Sequence, residues 1–594
     1  MRSLLPVFVL LFPSLANGQR ISYPVDIRPE DRIAFTLYTV HEQTLKMTAQ
    51  FYPIQDYEPF EAFLQKQEGD QWIPIDTSEI IYPGYTAHFR VEGWEDTREV
   101  NYRVVHNHRA FYEGRITANP VYKDTIIIAS LSCNSVYPQH GGNISKTDIV
   151  ENLEKAKVDL VFFAGDQVYD HSQHYTYWLH FGKEFEDILR NTPTITIPDD
   201  HDIGQGNIWG AGGKKANSRD GTDGGYYMPV SYIEEVQRAQ TSHLPDPYDP
   251  TPIDQGISVY YTDLEWGGIS FAILEDRKFK SGPAGFVQHN GARIDLVTDP
   301  GVNTKTFDVP QATLLGERQL QFLEEWSTDW DDAEMKAVLS QTIFAMASNY
   351  TGKQDVEIIA DFDTNGWPQT GRNKALSTIR KSYSVMIAGD QHLATVIQHG
   401  IEDWGDAGYS ICSPAIANYW LRWWEPKEPG ANRKPGAPGY TGNFLDGFGN
   451  KITVLAAANP TADEKAEGGK LSTRAAGFNI IKFVKSQRKI VVECWPRHVD
   501  IETGKQYEGW PITIDQMDNY PVKNGYQLSP LSFNKENAVV TIRRSENGEL
   551  INSIRVNGPV YHPKVPDEGP YDIFIDIDGK QQVRKVIAGK KSKR

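Results

Sequence analysis

The chain has 594 residues, of which 39% are hydrophobic and 23% charged, and it carries a formal net charge of −18. That length exceeds one small domain and allows a large buried core, while 14 Trp and 29 Tyr exclude an intrinsically disordered chain. The negative charge disfavours non-specific binding to nucleic acid or anionic membranes, so a phosphate-bearing substrate would need local cations or metal ions to hold it.

Residues 1–18 combine Arg2, an apolar stretch from Leu4 to Leu15 and the small-residue run Ala16, Asn17, Gly18. This is the layout of a cleaved secretory signal peptide. The stretch is shorter than the ~20 residues that cross a bilayer and contains Pro6 and Pro13, and no later run is long enough. A secreted or periplasmic protein without a membrane span is expected. Cys133, Cys412 and Cys494 are too few for a disulfide framework, and one bridge would leave one thiol unpaired.

From Ile21 to Tyr122, alternating segments such as LKMTAQFYPI and YTAHFRVEGW are separated by Gly, Pro and Asp turns, which predicts a β-sandwich. At Thr125–Cys133 the pattern becomes a nearly continuous apolar run, as in a strand covered on both faces. Ile149, Val150, Leu153 and Ala156 then recur at helical spacing. A second apolar run, Val161–Phe163, stops at Gly165 and Asp166, with Tyr169 three residues on.

The same grammar returns at Thr194–Asp202, which ends in Asp199, Asp200, His201 and Asp202, and before Glu275, Asp276, Arg277 and Lys278. It returns again before Gln341, and in Tyr383–His392, which ends in Asp390 and His392. In an open α/β sheet, chemistry collects outside the carboxyl ends of the strands, and six candidate strands here each deliver a polar group there. Two long connections, Gly204–Tyr227 and Ser281–Thr313, have the length of loops that shape a pocket mouth.

Leu314–Trp330 has the pattern of an amphipathic helix with Leu320, Leu323 and Trp326 on one face. Between Ile416 and Asn450 lies a Trp-, Pro- and Gly-rich segment that suits packing slightly better than a binding wall. FNIIKFVKSQRKIVVECWPRH predicts a closing hairpin around Cys494, and a small β domain follows, ending in the basic residues Lys590–Arg594 as a solvated tail.

Gathered at one sheet edge, Cys133, Asp166, Tyr169, Asp200, Asp390 and His392 would offer thiolate, phenolate, carboxylate and imidazole ligands together. Thiolate and tyrosinate favour a strongly Lewis-acidic ion such as ferric iron, whereas carboxylates with amide oxygens such as those of Asn134 or Gln341 favour calcium, magnesium or manganese. Asp166 is the candidate bridging carboxylate. Arg277, with help from Lys278, would steady charge on phosphate oxygens. His201 is either a proton donor to the leaving alcohol or a structural histidine bonded to Asp202. A non-catalytic binding module and a glycosidase built on Asp199 and Asp202 are the rival readings.

The motifs SCNS (132–135), GDQVYD (165–170), DDHD (199–202), EDR (275–277), LLGERQ (314–319), SQ (340–341) and GDQH (389–392) resemble, in identity and order, those of the alkaline phosphatase D (PhoD-like) group. That group belongs to the calcineurin-like metallophosphoesterases, and the likeness spans roughly residues 30 to 500. The resemblance implies an α/β fold with a four-layer αββα core, iron with calcium as cofactors, and phosphate mono- and diesters as substrates. It implies Cys133, Asp166, Tyr169 and Asp390 as holders of the iron-like ion, with Asp166 and Asp390 shared with or close to calcium. By the same likeness His392 is a second-metal ligand or substrate contact, and Arg277 a phosphate clamp. Zinc, manganese and magnesium are the alternative ions.

The chain departs from the wider superfamily in lacking the DxH motif, where SCNS stands, and in carrying DDHD for GNH followed by an acid. The amide ligand expected there becomes Asp200, or else Gln205 or Asn207 supplies the oxygen. A twin-arginine export signal is missing. The expected layout is a signal peptide at 1–18, a β-sandwich at 19–122, a catalytic domain at 123–515 and a C-terminal β domain at 525–594.

Overall fold

The computed structural model describes residues 26–289, 293–351, 356–418, 420–460, 475–523 and 525–587, with a two-residue strand at 590–591. The expected signal peptide lies outside the described residues. The fold is mixed α/β, with many strands and few helices.

Strands Ile33–His41, Thr44–Phe51 and Thr86–Glu92 form one antiparallel sheet, and Gln71–Glu79, Glu61–Glu68, Val100–His106 and Ala110–Ile116 form a second. Alternation drives their formation: along Ala110–Ile116, buried Ala110, Tyr112 and Ile116 are interleaved with exposed Phe111 and Glu113. The two sheets meet through Tyr102, whose hydroxyl lies 2.5 Å from Thr36 Oγ1 and whose ring is 6.4 Å from that of Tyr38.

All six apolar runs become strands, but they divide between two sheets rather than lining the edge of one. Thr194–Thr196, Leu160–Phe163 and Thr125–Asn134 run parallel and are extended by the antiparallel hairpin Gly477–Val484 and Lys489–Pro496 and by Ile512–Asp515. Ile269–Ile273, Met335–Thr342 and Val385–Gly389 run parallel in the other sheet. Each trio has its own apolar face to bury, and the faces share one core, where Phe271 and Phe483 meet at 6.2 Å and 89°. Covered on both sides, Leu160–Phe163 is buried at every residue, which is why its sequence does not alternate. Helix Gly316–Thr328 buries Phe322, Leu323 and Trp326.

The last sheet pairs Leu550–Arg555, Val539–Arg544, Tyr571–Ile577 and Lys580–Val586 around its own core, which also takes in Trp330 and Tyr383. Trp330 anchors the contact, with Nε1 donating to Ser553 Oγ at 3.0 Å, and Arg555 Nε donates to Ala333 O at 2.6 Å. The basic end is not wholly a solvated tail, because the Lys590–Lys591 backbone pairs with Tyr526–Gln527. All three cysteines are buried free thiols. Among the described residues, no helix is long and apolar enough to cross a membrane.

Trp330 is 2% exposed, so Trp330→Ala should destabilise the protein by about 3–5 kcal/mol. Urea unfolding of the full chain checks this, and a change below about 1 kcal/mol would mean that the contact carries little of the docking.

Candidate metal centre

Four of the six expected metal ligands sit on backbone that side chains seldom adopt. Cys133 has φ 58°, Asp166 φ 60°, Asp390 φ 66° and His392 φ 54°. Each such residue costs on the order of 1–3 kcal/mol and persists only where the surroundings fix it. Here the loops fix one another: Cys133 N donates to Gly165 O at 3.2 Å, Asn134 N to Asp166 O at 2.8 Å and Asp390 N to Ser132 Oγ at 2.9 Å. Two glycines permit the approach. A Cβ on Gly165 would lie 2.5 Å from Asp199 Cβ, and one on Gly389 would lie 2.2 Å from Ser132 Oγ.

Three overlapping groups of metal-ligating atoms result, each with its atoms within 4.8 Å of one another: Cys133, Asp166 and His392; Asp166, Asp200 and His201; and Asp199, Asp200 and Asp390. Tyr169 joins the first, its hydroxyl donating to Asp166 Oδ2 at 3.0 Å and lying 3.4 Å from His392 Nε2. Its ring stacks on His201 at 4.3 Å. Asp200 Oδ1 is buried without a hydrogen-bond partner, as is Asn134 Oδ1. A buried orphan carboxylate oxygen beside other carboxylates is what a hard cation would satisfy, and the thiol, phenol and imidazole suit a more Lewis-acidic one. The donor set fits two unlike ions.

Several expected roles fall differently in space. Asp202 is saturated, accepting from the backbone N–H groups of Asp166 (2.7 Å), Val168 (2.9 Å) and Asp199 (2.9 Å) and from Gln240 Nε2 (3.0 Å). His201 is bonded instead to His171, Nδ1 to Nε2 at 2.7 Å. Gln341 bridges strand ends, its Nε2 donating to Pro198 O and to Tyr260 Oη. Lys278 turns away to Glu275 at 2.6 Å, and Gln205 Oε1 accepts from Tyr227 N at 2.9 Å. Arg277 is 3% exposed and spans three carboxylates: Asp199 at 2.8 Å, Asp363 at 2.8 Å and Asp390 at 3.0 Å.

Above these residues opens a cavity of 340 Å³, with Asp166, Asp200, Asp390, His201 and His392 on its walls. Arg277, Asp199, Asp202 and Gln341 do not line it, whereas Arg422, Arg293, Asp361, Asp363, His171 and Trp420 do. Arg422 comes from the Trp-rich segment and binds Asp361 at 2.5 Å and Gln391 Oε1 at 2.8 Å. Its neighbours Trp423 and Trp424 pack down, at 1% and 5% exposure. Both long loops reach the cavity, through Asn207 on one and Arg293 and Leu296 on the other.

The electrostatics follow from burial. Burial, and then the charges of Asp199, Asp202 and Asp390, push the Asp166 carboxyl well above its ordinary range. Asp200 is raised by burial and by Asp166, and Asp390 to about 6 by burial and Asp363. Burial raises the Cys133 thiol and the Tyr169 phenol, with Asp166 adding to both, and lowers His392 to about 3. Burial opposes the charge on Arg277, but Asp199, Asp363 and Asp390 outweigh it and raise its pKa. Asp166, Asp200 and Asp390 are therefore short of positive charge, whereas burial of Asp363 is outweighed by Arg277, Arg422 and Lys280, which hold its carboxyl below the ordinary range.

Residues 173–412 match the family model described as PhoD-like phosphatase. A solved structure described as "Structure of PhoD" aligns with a TM-score of 0.54 at 14% identity, covering 82% of this chain and 90% of that one, and so shares the fold. A β-glycosidase from Bacteroides vulgatus aligns over 94% of this chain and 79% of that one at 9% identity, with a TM-score of only 0.19. No curated protein matches the chain.

Removing Arg277 would leave Asp199 and Asp390 buried without an ion-pair partner among the described residues and Asp363 with only the longer contact to Arg422 at 4.0 Å. Arg277→Ala should cost about 3–5 kcal/mol of stability, measured by urea unfolding, and a loss below about 1 kcal/mol would contradict its role as the central counter-charge.

Proposed function

Taking as its premise that residues 173–412 of this chain form a PhoD-like phosphatase domain, we propose that the protein is an exported, metal-dependent phosphoesterase acting on phosphate mono- or diesters. The observation that carries this reading is the run of three overlapping ligand groups beneath the 340 Å³ cavity, with Arg422 on its wall. Its frame would be a β-sandwich at 19–122, a four-layer αββα catalytic domain at 123–515 and a β domain at 525–594, after a signal peptide at 1–18.

In this reading Cys133, Asp166, Tyr169 and Asp390 would hold an iron-like ion, with His392 on the same side beside Cys133 and Asp166, and Asp166, Asp200 and Asp390 would face a calcium-like one. Bound there, such ions supply Lewis acidity and make water a nucleophile near neutral pH. Metal binding also accounts for the acids, because ligation favours the deprotonated thiol, phenol and carboxyl that burial alone disfavours.

The chain's own residues then divide the remaining work. Arg422 faces the cavity and is the clamp for the phosphate oxygens, with Arg293 at the rim. Charge developing on those oxygens meets a guanidinium already held in place by Asp361 and Gln391, so little reorganisation is needed. Arg277 is a positioning residue, holding Asp199, Asp363 and Asp390 in register. The hydrogen-bonded pair His171 and His201 lines the cavity, with the Tyr169 ring stacked on His201; burial lowers both, His171 to about 4, so the neutral pair would relay to the leaving alkoxide the proton given up by the attacking water. Trp420 and Leu296 form the less polar wall, against which the alcohol portion would rest.

Hydrolysis of an aryl phosphomonoester and a bis-aryl phosphodiester, before and after metal chelation, tests the reading. Activity toward at least one ester should disappear on chelation and return with metal. Arg422→Ala should lower kcat/KM by about 10²–10³ while the protein stays folded. Hydrolysis that survives complete metal removal, or neither ester being cleaved by the metal-loaded protein, would overturn it.

A further inference from the structure

A second cavity, of 220 Å³, shares no lining residue with the one above. Lys305, Arg372 and Lys451 line it, with Asp308 as its acid. Among the described residues, none of these three cations has a carboxylate within the 4.0 Å of an ion pair, in a chain with 78 acidic residues to 60 basic.

Arg372 is the unusual member. It is 1% exposed, yet its guanidinium meets only neutral groups: Nε donates to Phe344 O at 2.9 Å, Nη1 to Gly400 O at 2.9 Å and Asn373 Oδ1 at 2.8 Å, and Nη2 lies 3.2 Å from His399 Nδ1. Burial lowers its pKa to about 10, against the more distant Asp446 and Asp406. Asp446 is already engaged, accepting from the backbone N–H groups of Met346, Phe448 and Asn450 and from Asn450 Nδ2. Buried charges are ordinarily paired, so a buried guanidinium held only by neutral groups leaves positive potential in the adjoining cavity.

The two lysines stand at the same space. Lys451 Nζ rests on Ile401 O at 3.3 Å and Glu402 O at 2.5 Å, with no acid partner. Asp308, whose oxygens accept from Thr370 N at 3.0 Å and Thr370 Oγ1 at 2.7 Å, sets one negative charge against the three cations and leaves the cavity net positive.

We propose that this cavity is a second binding site, for a tetrahedral oxyanion of phosphate size, held by the ammonium groups of Lys305 and Lys451 over the buried charge of Arg372. The proposal uses nothing from the reading of the first cavity. Either a free anion or the phosphoryl group of an ester has the required chemistry.

Calorimetric titration of the full-length protein carrying both Asp166→Ala and Arg422→Ala with inorganic phosphate, and separately with glycerol phosphate, tests it with the ligand cluster and the phosphate clamp of the first cavity both removed. Saturable binding is expected. Tighter binding of inorganic phosphate assigns a free anion, and tighter binding of glycerol phosphate assigns an ester. Adding Lys305→Gln and Lys451→Gln should raise Kd at least about tenfold, while the same two substitutions in the otherwise wild-type protein leave turnover unchanged. Absence of saturable binding, or a Kd indifferent to the lysines, overturns the proposal. Should that double variant not fold, the titration is made on the wild-type protein, where the lysine substitutions must remove one of the binding events; unchanged stoichiometry and affinity overturn the site.

Discussion

Five carboxylates, those of Asp166, Asp199, Asp200, Asp363 and Asp390, lie at one place in the interior, none more than 4% exposed. At the 4.8 Å that bounds the ligand atoms within each group, two like charges repel by roughly 3.5 kcal/mol at an effective dielectric of about 20. Several such pairs would rival the whole stability of an ordinary domain. Arg277 answers part of this, touching three of the five. Asp166 and Asp200 have no guanidinium in contact, and Asp200 keeps an oxygen with no partner at all. Arg422 and Lys280 add to the compensation of Asp363, while the Asp166, Asp200 and Asp390 carboxyls stay raised.

The fold supplies the rigidity that such a cluster needs. Two trios of parallel strands end at the same level, and each trio is locked to the other by short bonds between loops, as in Asp390 N to Ser132 Oγ. Left-handed backbone at Cys133, Asp166, Asp390 and His392 aims four side chains inward at a cost that only a surrounding packed core can hold. Asp202, which does not line the cavity, fixes the site by accepting three hydrogen bonds from the loops that carry Asp166 and Asp199 and a fourth from Gln240 on helix Val230–Thr241.

Much of this was legible in the sequence because it rests on local pattern. An apolar run ending in Gly165 and Asp166 is a buried strand with a carboxylate at its mouth, and the same pattern marked Asp200 and Asp390. What did not show was what depends on folding back. Arg422 sits in a segment whose tryptophans announce packing, and Trp423 and Trp424 do pack; only the turn of the chain brings Arg422 to the cavity. Asp361 and Asp363 follow only the short apolar stretch at residues 358–360, which leads into the two-residue strand Ala360–Asp361 and lacks the length of the runs that mark the other strand ends. Arg277 was visible as a cation at a strand end, but which carboxylates would surround it depended on the second sheet, and a strand pattern says nothing about which sheet a strand joins.

In the proposed function the acid cluster holds metal. Elemental analysis of the purified full-length protein beside its Asp166→Ala variant addresses it most directly. About two metal ions or more per wild-type chain are predicted, with a clear loss in a variant that keeps its circular dichroism spectrum. A wild-type protein that hydrolyses phosphate esters while holding no metal, or a folded variant with undiminished metal content, would contradict it.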